Sequence, residues 1–291
     1  MQRYAAIFLI SSALAAEPDF VLQPSDAKLT SPAVTEASGL AASPSADGFL
    51  WMINDSGGTP EIHLAQTDGT SRGSVTVGDT KNIDWEDLAA FQSEGKPYLL
   101  IADTGDNGSA RKSVTLHIVR EPKLPVDGET LSEKVQVAFK IEFTYEDGPR
   151  DCESVAVDAE NGKVILISKR TDPPCVYELP LKPSENAIAR KIGTTATKAP
   201  GIVSIRFANQ PTGLDISACH RSATVVTYHG LFLFRRMEKE SWAEVFAKTP
   251  EALAPHKLQQ AEAVAFSRDG KSIFAVSEKA NSPVVRYGSP D

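Results

Sequence analysis

Asp84-Trp-Glu-Asp-Leu-Ala-Ala-Phe91 is the stretch that decides the fold, because four other segments share its pattern. They are Glu36-Ala-Ser-Gly-Leu-Ala-Ala-Ser43, Asp151-Cys-Glu-Ser-Val-Ala-Val-Asp158, Gln210-Pro-Thr-Gly-Leu-Asp-Ile-Ser217 and Gln260-Ala-Glu-Ala-Val-Ala-Phe-Ser267. The copies start 48, 67, 59 and 50 residues apart. Strand-rich repeats of that period build propellers or solenoids rather than one ordinary core.

Each copy continues through a turn into a second aliphatic strand: Leu50–Ile53, Leu99–Ile101, Val164–Ile167, Thr224–Val226 and Ile273–Val276. Asp47-Gly48, Glu94-Gly95, Asn161-Gly162 and Asp269-Gly270 supply the hairpin turns. Third strands are expected at Glu61–Ala65, Val114–Val119, Val176–Leu179, Leu231–Phe234 and Val284–Tyr287. Fourth strands are expected at Gly73–Val77, Val135–Phe143 and Trp242–Ala247. The last copy has no room for a fourth strand, which the stretch Phe20–Leu29 can supply. That closes the ring and removes its free edges. Helical signals are weak and confined to Glu238–Trp242 and Glu251–Leu258. The reading is an all-β chain forming a single β-propeller of five blades over residues 17–291. Six blades is the alternative, because the two longest intervals have room for extra strands.

Residues 1–16 read as a Sec-type signal peptide, with Arg3, an apolar run from Tyr4 to Leu14 and the small-x-small site Ala13-Leu-Ala15. The run is short for a bilayer span. The expectation is a periplasmic or secreted protein with no membrane span in the mature chain. The net charge is −8. An acidic surface without a Lys/Arg stripe excludes nucleic acid as a partner. Of the three cysteines, Cys152 and Cys175 fall in one repeat. A disulfide between them and a set of small buried thiols are both compatible with the sequence.

First and second strands of a repeat are antiparallel, so the start of one lies beside the end of the other. Polar residues gather at that end, at one mouth of the central channel. Asp84, Glu86, Asp103, Asp106, Asn107 and Asp151 offer oxygens suited to a hard divalent ion such as Ca2+. Glu36, Asp55, Glu153, Lys169, Arg170, Tyr228, His229, Glu262, Glu278 and Lys279 complete a ligand-binding mouth with an acidic and a basic side. The plainer readings stay open: Asp/Asn/Gly runs also form turns, and Lys and Arg also pair with nearby acids. There is no Gly-x-Ser-x-Gly elbow and no recognisable Cys/His pairing.

Asn54-Asp-Ser-Gly57, Asp84-Trp-Glu-Asp-Leu-Ala89, Ala102-Asp-Thr-Gly-Asp-Asn107 and Glu121-Pro122 resemble a group of exported bacterial β-propeller proteins of poorly defined function, distantly similar to phytase-like and esterase-like propellers. The resemblance implies a propeller with a calcium site at the residues quoted. The acidic and basic motifs of true β-propeller phytases are not recognisable, apart from an echo in Asn82-Ile-Asp84, so it does not imply phytase activity. Three functions follow as expectations. The first is a binding or interaction module for a small anionic ligand, a protein or a glycan, with calcium at its mouth. The second is a metal-dependent hydrolase of phosphate or other esters. The third is a glycosidase with paired carboxylates, for which only Trp51, Trp85 and Tyr228 offer sugar platforms.

Overall fold

In the computed structural model, residues 19–197 and 209–289 are described. The leader read over residues 1–16 lies outside them. The described residues form an all-β, propeller-like fold with one short helix. No helix among them is long and apolar enough to cross a membrane.

The described residues begin with β1 (Val21–Gln23) and continue as antiparallel meanders. The first contains β2 (Ala37–Ala42), β3 (Phe49–Asn54), β4 (Glu61–Gln66) and β5 (Ser71–Gly78). The second contains β6 (Trp85–Ser93), β7 (Lys96–Asp103), β8 (Val114–Arg120) and β9 (Leu131–Tyr145). The third contains β10 (Cys152–Asp158), β11 (Lys163–Ser168), β12 (Cys175–Pro180) and β13 (Ser184–Thr194). The fourth contains β14 (Gly213–Ile216), β15 (Ser222–Val226), β16 (Leu231–Arg235) and the short β17 (Glu251–Ala252). The fifth contains β18 (Ala261–Phe266), β19 (Ser272–Ser277) and β20 (Val285–Gly288), and β1 pairs onto β20. The N-terminal segment therefore completes the last meander, as its spacing suggested.

The first strands β2, β6, β10, β14 and β18 adjoin one another in a closed cycle. Their approach is close enough to need small residues. A Cβ on Gly39 would lie 2.5 Å from the backbone nitrogen of Leu88. Hydroxyls then tie successive meanders together. Ser38 donates to the Trp85 carbonyl at 2.8 Å, Thr104 to that of Cys152 at 2.8 Å and Thr212 to that of Ala261 at 2.7 Å. Apolar side chains fill the space between meanders. Trp51, Trp85, Tyr177 and Tyr287 are all fully buried, each contributing about 2–3 kcal/mol of transfer free energy.

The longest interval is filled by β9, which spans 15 residues. Its first half pairs in parallel with β5 (Gly73–Gly78 against Leu131–Gln136) and its last part in parallel with β13. One hydrogen-bonded network therefore runs through β2 to β13.

One expectation is corrected and one open alternative is decided. Trp242–Phe246 is not a fourth strand but the helix α1. Ser241 and Glu244 form a capping box there, and Trp242, Val245 and Phe246 bury one face at helical spacing. The fourth strand falls instead at β17, within the stretch that read as weakly helical. Cys152 and Cys175 are both free. Strand β11 lies between β10 and β12, which sets their backbones about 9–10 Å apart, beyond the reach of a disulfide.

Candidate functional site

A repeated irregularity in the first strands brings the acids together. In β2, β6, β10 and β18 the pairing register slips by one residue at the same point of the motif. The residues at that slip are Ser38, Glu86, Glu153 and Glu262. A β-bulge of this kind turns a side chain out of the pleat. Three of the motif's third positions carry glutamates that come near one another: Glu86 and Glu153 share a carboxylate cluster, and the Glu153 charge acts on Glu262. The neighbouring position is set by backbone pairing. Asp55 N–H donates to the Glu36 carbonyl, Lys169 N–H to that of Asp151 and Glu278 N–H to that of Gln260. Strand starts and strand ends therefore lie side by side.

Two carboxylate triads result. Asp55, Asp84 and Glu86 bring ligand oxygens within 4.8 Å of one another, and so do Glu86, Asp151 and Glu153. Glu86 belongs to both. Burial accompanies the crowding, with Glu86 6% exposed, Asp151 1% and Glu153 7%. Desolvation, followed by the charges of Glu153, Asp55, Asp84 and Asp151, pushes the Glu86 carboxyl well above its usual range. Desolvation and then the Asp55 and Asp151 charges raise Asp84 to about 6. Desolvation raises Glu153 to about 7 against the opposing pull of Lys169. Asp55 is raised chiefly by burial.

Gly105 forms part of the wall. A Cβ there would meet Glu86 Oε1 at 2.3 Å and Asp84 Oδ2 at 2.4 Å. Only a glycine leaves both carboxylates their position. Asn82 fixes the approach of the first two meanders. Its amide donates to the Asn54 and Asp55 carbonyls at 3.0 and 2.6 Å, and its side-chain oxygen accepts the Trp85 N–H at 3.1 Å.

The basic side is joined to the acids rather than opposed across the channel. Lys169 pairs with Glu153 and lies 5.2 Å from the Tyr228 ring centroid. Arg170 Nε pairs with Asp151 at 2.5 Å, and its guanidinium also reaches Asn107. Arg170 adopts φ 67°, a left-handed conformation uncommon outside glycine. Its N–H is held by the Gln210 side chain.

The other expected residues divide as follows. Asp103 is paired with Arg111 at 2.8 Å, lies 3.8 Å from His117 and borders an outer groove, outside both triads. Asp106 is consumed by the turn that follows it, accepting the Ala110 and Arg111 N–H groups at 2.8 and 2.9 Å. Its own N–H donates to Asp151 at 3.0 Å. Glu262 accepts the Tyr228 hydroxyl at 2.8 Å. Burial, then Glu153 and Glu278, raises Glu262 to about 9. Glu278 accepts from Gln260. Glu36, His229 and Lys279 are exposed on the rim. Trp51 and Trp85 are 0% exposed and present no face to a sugar.

Two central residues escaped the sequence reading. Asp87 is fully buried, and its carboxylate accepts the backbone N–H groups of Leu88, Val155 and Leu214 at 2.8, 2.7 and 3.1 Å. Asp215 accepts those of Ile216 and Phe266 at 2.9 and 2.7 Å. Both stand in columns of the repeat otherwise filled by small residues: Gly39, Ser154, Gly213 and Ala263 for Asp87; Ala41, Ala89, Ala156 and Ala265 for Asp215. A lone carboxylate in such a column was the available signal.

No protein-family model matches the chain, and no curated protein matches it. Among solved structures, Raptor from Chaetomium thermophilum is similar to it with a TM-score of 0.48 and 8% identity, over 94% of this chain and 29% of Raptor. The chain thus spans less than a third of that protein's length.

Proposed function

We propose that the chain is an exported five-bladed propeller, each meander one blade, that holds a calcium ion at its acidic mouth and binds a partner or small anionic ligand there. The observation that carries this reading is the pair of triads sharing Glu86, in each of which one oxygen from every residue lies within 4.8 Å of the others. Asp55, Asp84, Glu86, Asp151 and Glu153 are the residues that would hold the ion. The donor set fits a hard cation. It contains carboxylate oxygens and no imidazole or thiolate, which suits calcium or magnesium rather than zinc. The carboxyls are crowded enough to resist ionising together, and a divalent charge relieves that repulsion. Gly105 leaves the space clear. Bound calcium would supply a fixed positive charge at the mouth. Arg170 and Lys169 flank it and would orient an anionic group.

The test is thermal unfolding of the protein in EDTA, followed by calcium, magnesium, manganese and zinc in turn. A melting temperature that rises with calcium above the other ions supports the reading. No response to any of them removes it.

A metal-dependent hydrolase of phosphate esters is the second reading. Its specific support is the adjacency of Lys169 and Arg170 to the triads through Glu153 and Asp151, since a metal beside two cations suits a phosphate ester. Turnover of p-nitrophenyl phosphate that calcium restores after EDTA, and that Glu86→Gln abolishes, supports it. A calcium-stabilised protein without turnover leaves the binding module.

A further inference from the structure

The opposite end of the channel carries a second concavity with different chemistry. The far ends of the first strands of all five meanders converge there on a cavity of about 460 Å³, a size that suits a small organic molecule. Its walls include Ala41, Ala90, Val157, Ile216 and Phe266, and Asp215 also lines it. Asp215 is half-buried and is one of the residues that line the cavity.

Asp215 is held by two backbone N–H groups, one on each oxygen, and each oxygen keeps acceptor capacity. No cationic side chain among the described residues is in ion-pair contact with it. Two basic groups line the same cavity, and each lies nearer to another acid than to Asp215. Arg268 pairs with Asp47 at 3.2 Å and donates to the Pro44 carbonyl at 3.3 Å, and His220 lies 3.5 Å from Asp158. A recessed carboxylate without a counter-charge is costly to ionise, and its charge disfavours an anion beside it. It is also a poor metal site, because Asp215 belongs to neither carboxylate triad. What remains complementary is one positive charge carried on an apolar body.

We propose that this second mouth is a binding site for a small organic ammonium ion, with the ammonium on the Asp215 carboxylate and the apolar portion against Ile216, Phe266 and Val157. The site is independent of the acidic mouth and needs no metal.

The experiment uses the full chain saturated with calcium at pH 8.5, so that the triads are already occupied. The probes are cyclohexylammonium and n-butylammonium, with cyclohexanol and n-butanol as neutral partners of similar shape. Binding is followed by chemical-shift changes of the backbone amides. The expected result is saturable binding of the ammonium probes that moves the Ile216 and Phe266 amides, at least tenfold tighter than the alcohols. Asp215→Asn lowers the affinity at least tenfold. Because that change also turns an amide NH2 toward one of the two backbone N–H donors, Ala218→Trp is the second variant. Ala218 is exposed on the cavity lip, so the indole narrows the entrance without entering the core. This variant is expected to lose ammonium binding while keeping the wild-type melting temperature. Equal binding of alcohols and ammonium ions, shifts confined to the acidic mouth, or binding unaffected by Ala218→Trp each overturns the proposal.

Discussion

Asp87 accepts the backbone N–H of Leu214 at 3.1 Å, across 127 residues of sequence and across the channel axis. With Val155 N–H on the same oxygen and Leu88 N–H on the other, one carboxylate joins the first strands of three consecutive meanders. Replacing it with alanine leaves three buried donors without their acceptor. Asp87→Ala is expected to cost about 3–5 kcal/mol, a fall in melting temperature on the order of 10 °C for a chain of this size. Denaturant unfolding of the variant checks this. A loss below about 1 kcal/mol would mean that the donors find other partners.

Gly105→Ala tests the carboxylate cradle. The added methyl meets Glu86 and Asp84 oxygens at under 2.5 Å, so one of them must move. The expected outcome is calcium affinity reduced at least tenfold, with the far-ultraviolet circular dichroism spectrum unchanged. Calorimetric titration reads the first and the spectrum the second. Wild-type affinity in this variant would place the ion elsewhere.

The protein stripped of metal should be more stable at pH 5 than at pH 8. Asp84, Glu153, Asp215 and Glu262 have carboxyls raised to about 6, 7, 7 and 9 in the folded state. A raised acid binds its proton more tightly when folded. Its contribution is full below the unfolded value and is lost as pH rises through the folded one. His63 and His256, buried and lowered, act in the opposite direction as pH falls through 6.5. Four raised acids outweigh two imidazoles. Urea midpoints measured in EDTA at the two pH values decide it, and a midpoint higher at pH 8 contradicts the account. Calcium should shrink the difference, because it favours the ionised triads.

Glu121 has a structural role that its place beside Pro122 did not disclose. Its carboxylate accepts from Ser43 Oγ and Ser45 Oγ and, at 2.8 Å, from Trp51 Nε1, thereby clamping the second meander to the first. Glu121→Ala should cost about 2–4 kcal/mol. It should also shift tryptophan emission, because Trp51 loses its only charged partner in a fully buried setting. Calcium affinity should be unchanged, since Glu121 is not in either triad.

The repeat made the strands legible because hydrophobic alternation and turn residues recur at a fixed register, and the closing role of the N-terminal segment followed from counting strands. The antiparallel hairpin alone led to the expectation that Glu86 and Glu153 share one end of the strands, and their carboxylates lie in one cluster. The sequence did not disclose direction within a turn. Asp103 and Asp106 lie in the same short run as Gly105, yet one faces Arg111, the other caps backbone amides, and it is the glycine that borders the triads. Nor did it disclose the helix at Trp242. The spacing of Trp242, Val245 and Phe246 spans too few residues to outweigh an expected fourth strand, and only the Ser241–Glu244 box separates the two readings.

The parallel pairings of β9 have a mechanical consequence. They fasten the first three meanders into one sheet, while among the described residues the fourth and fifth are sheets of their own. Every residue of the two triads comes from that fastened arc: Asp55 from the first meander, Asp84 and Glu86 from the second, Asp151 and Glu153 from the third. Backbone hydrogen bonds that run from one meander to the next resist sliding between them, so the acids are mounted where a change in their spacing must break such bonds.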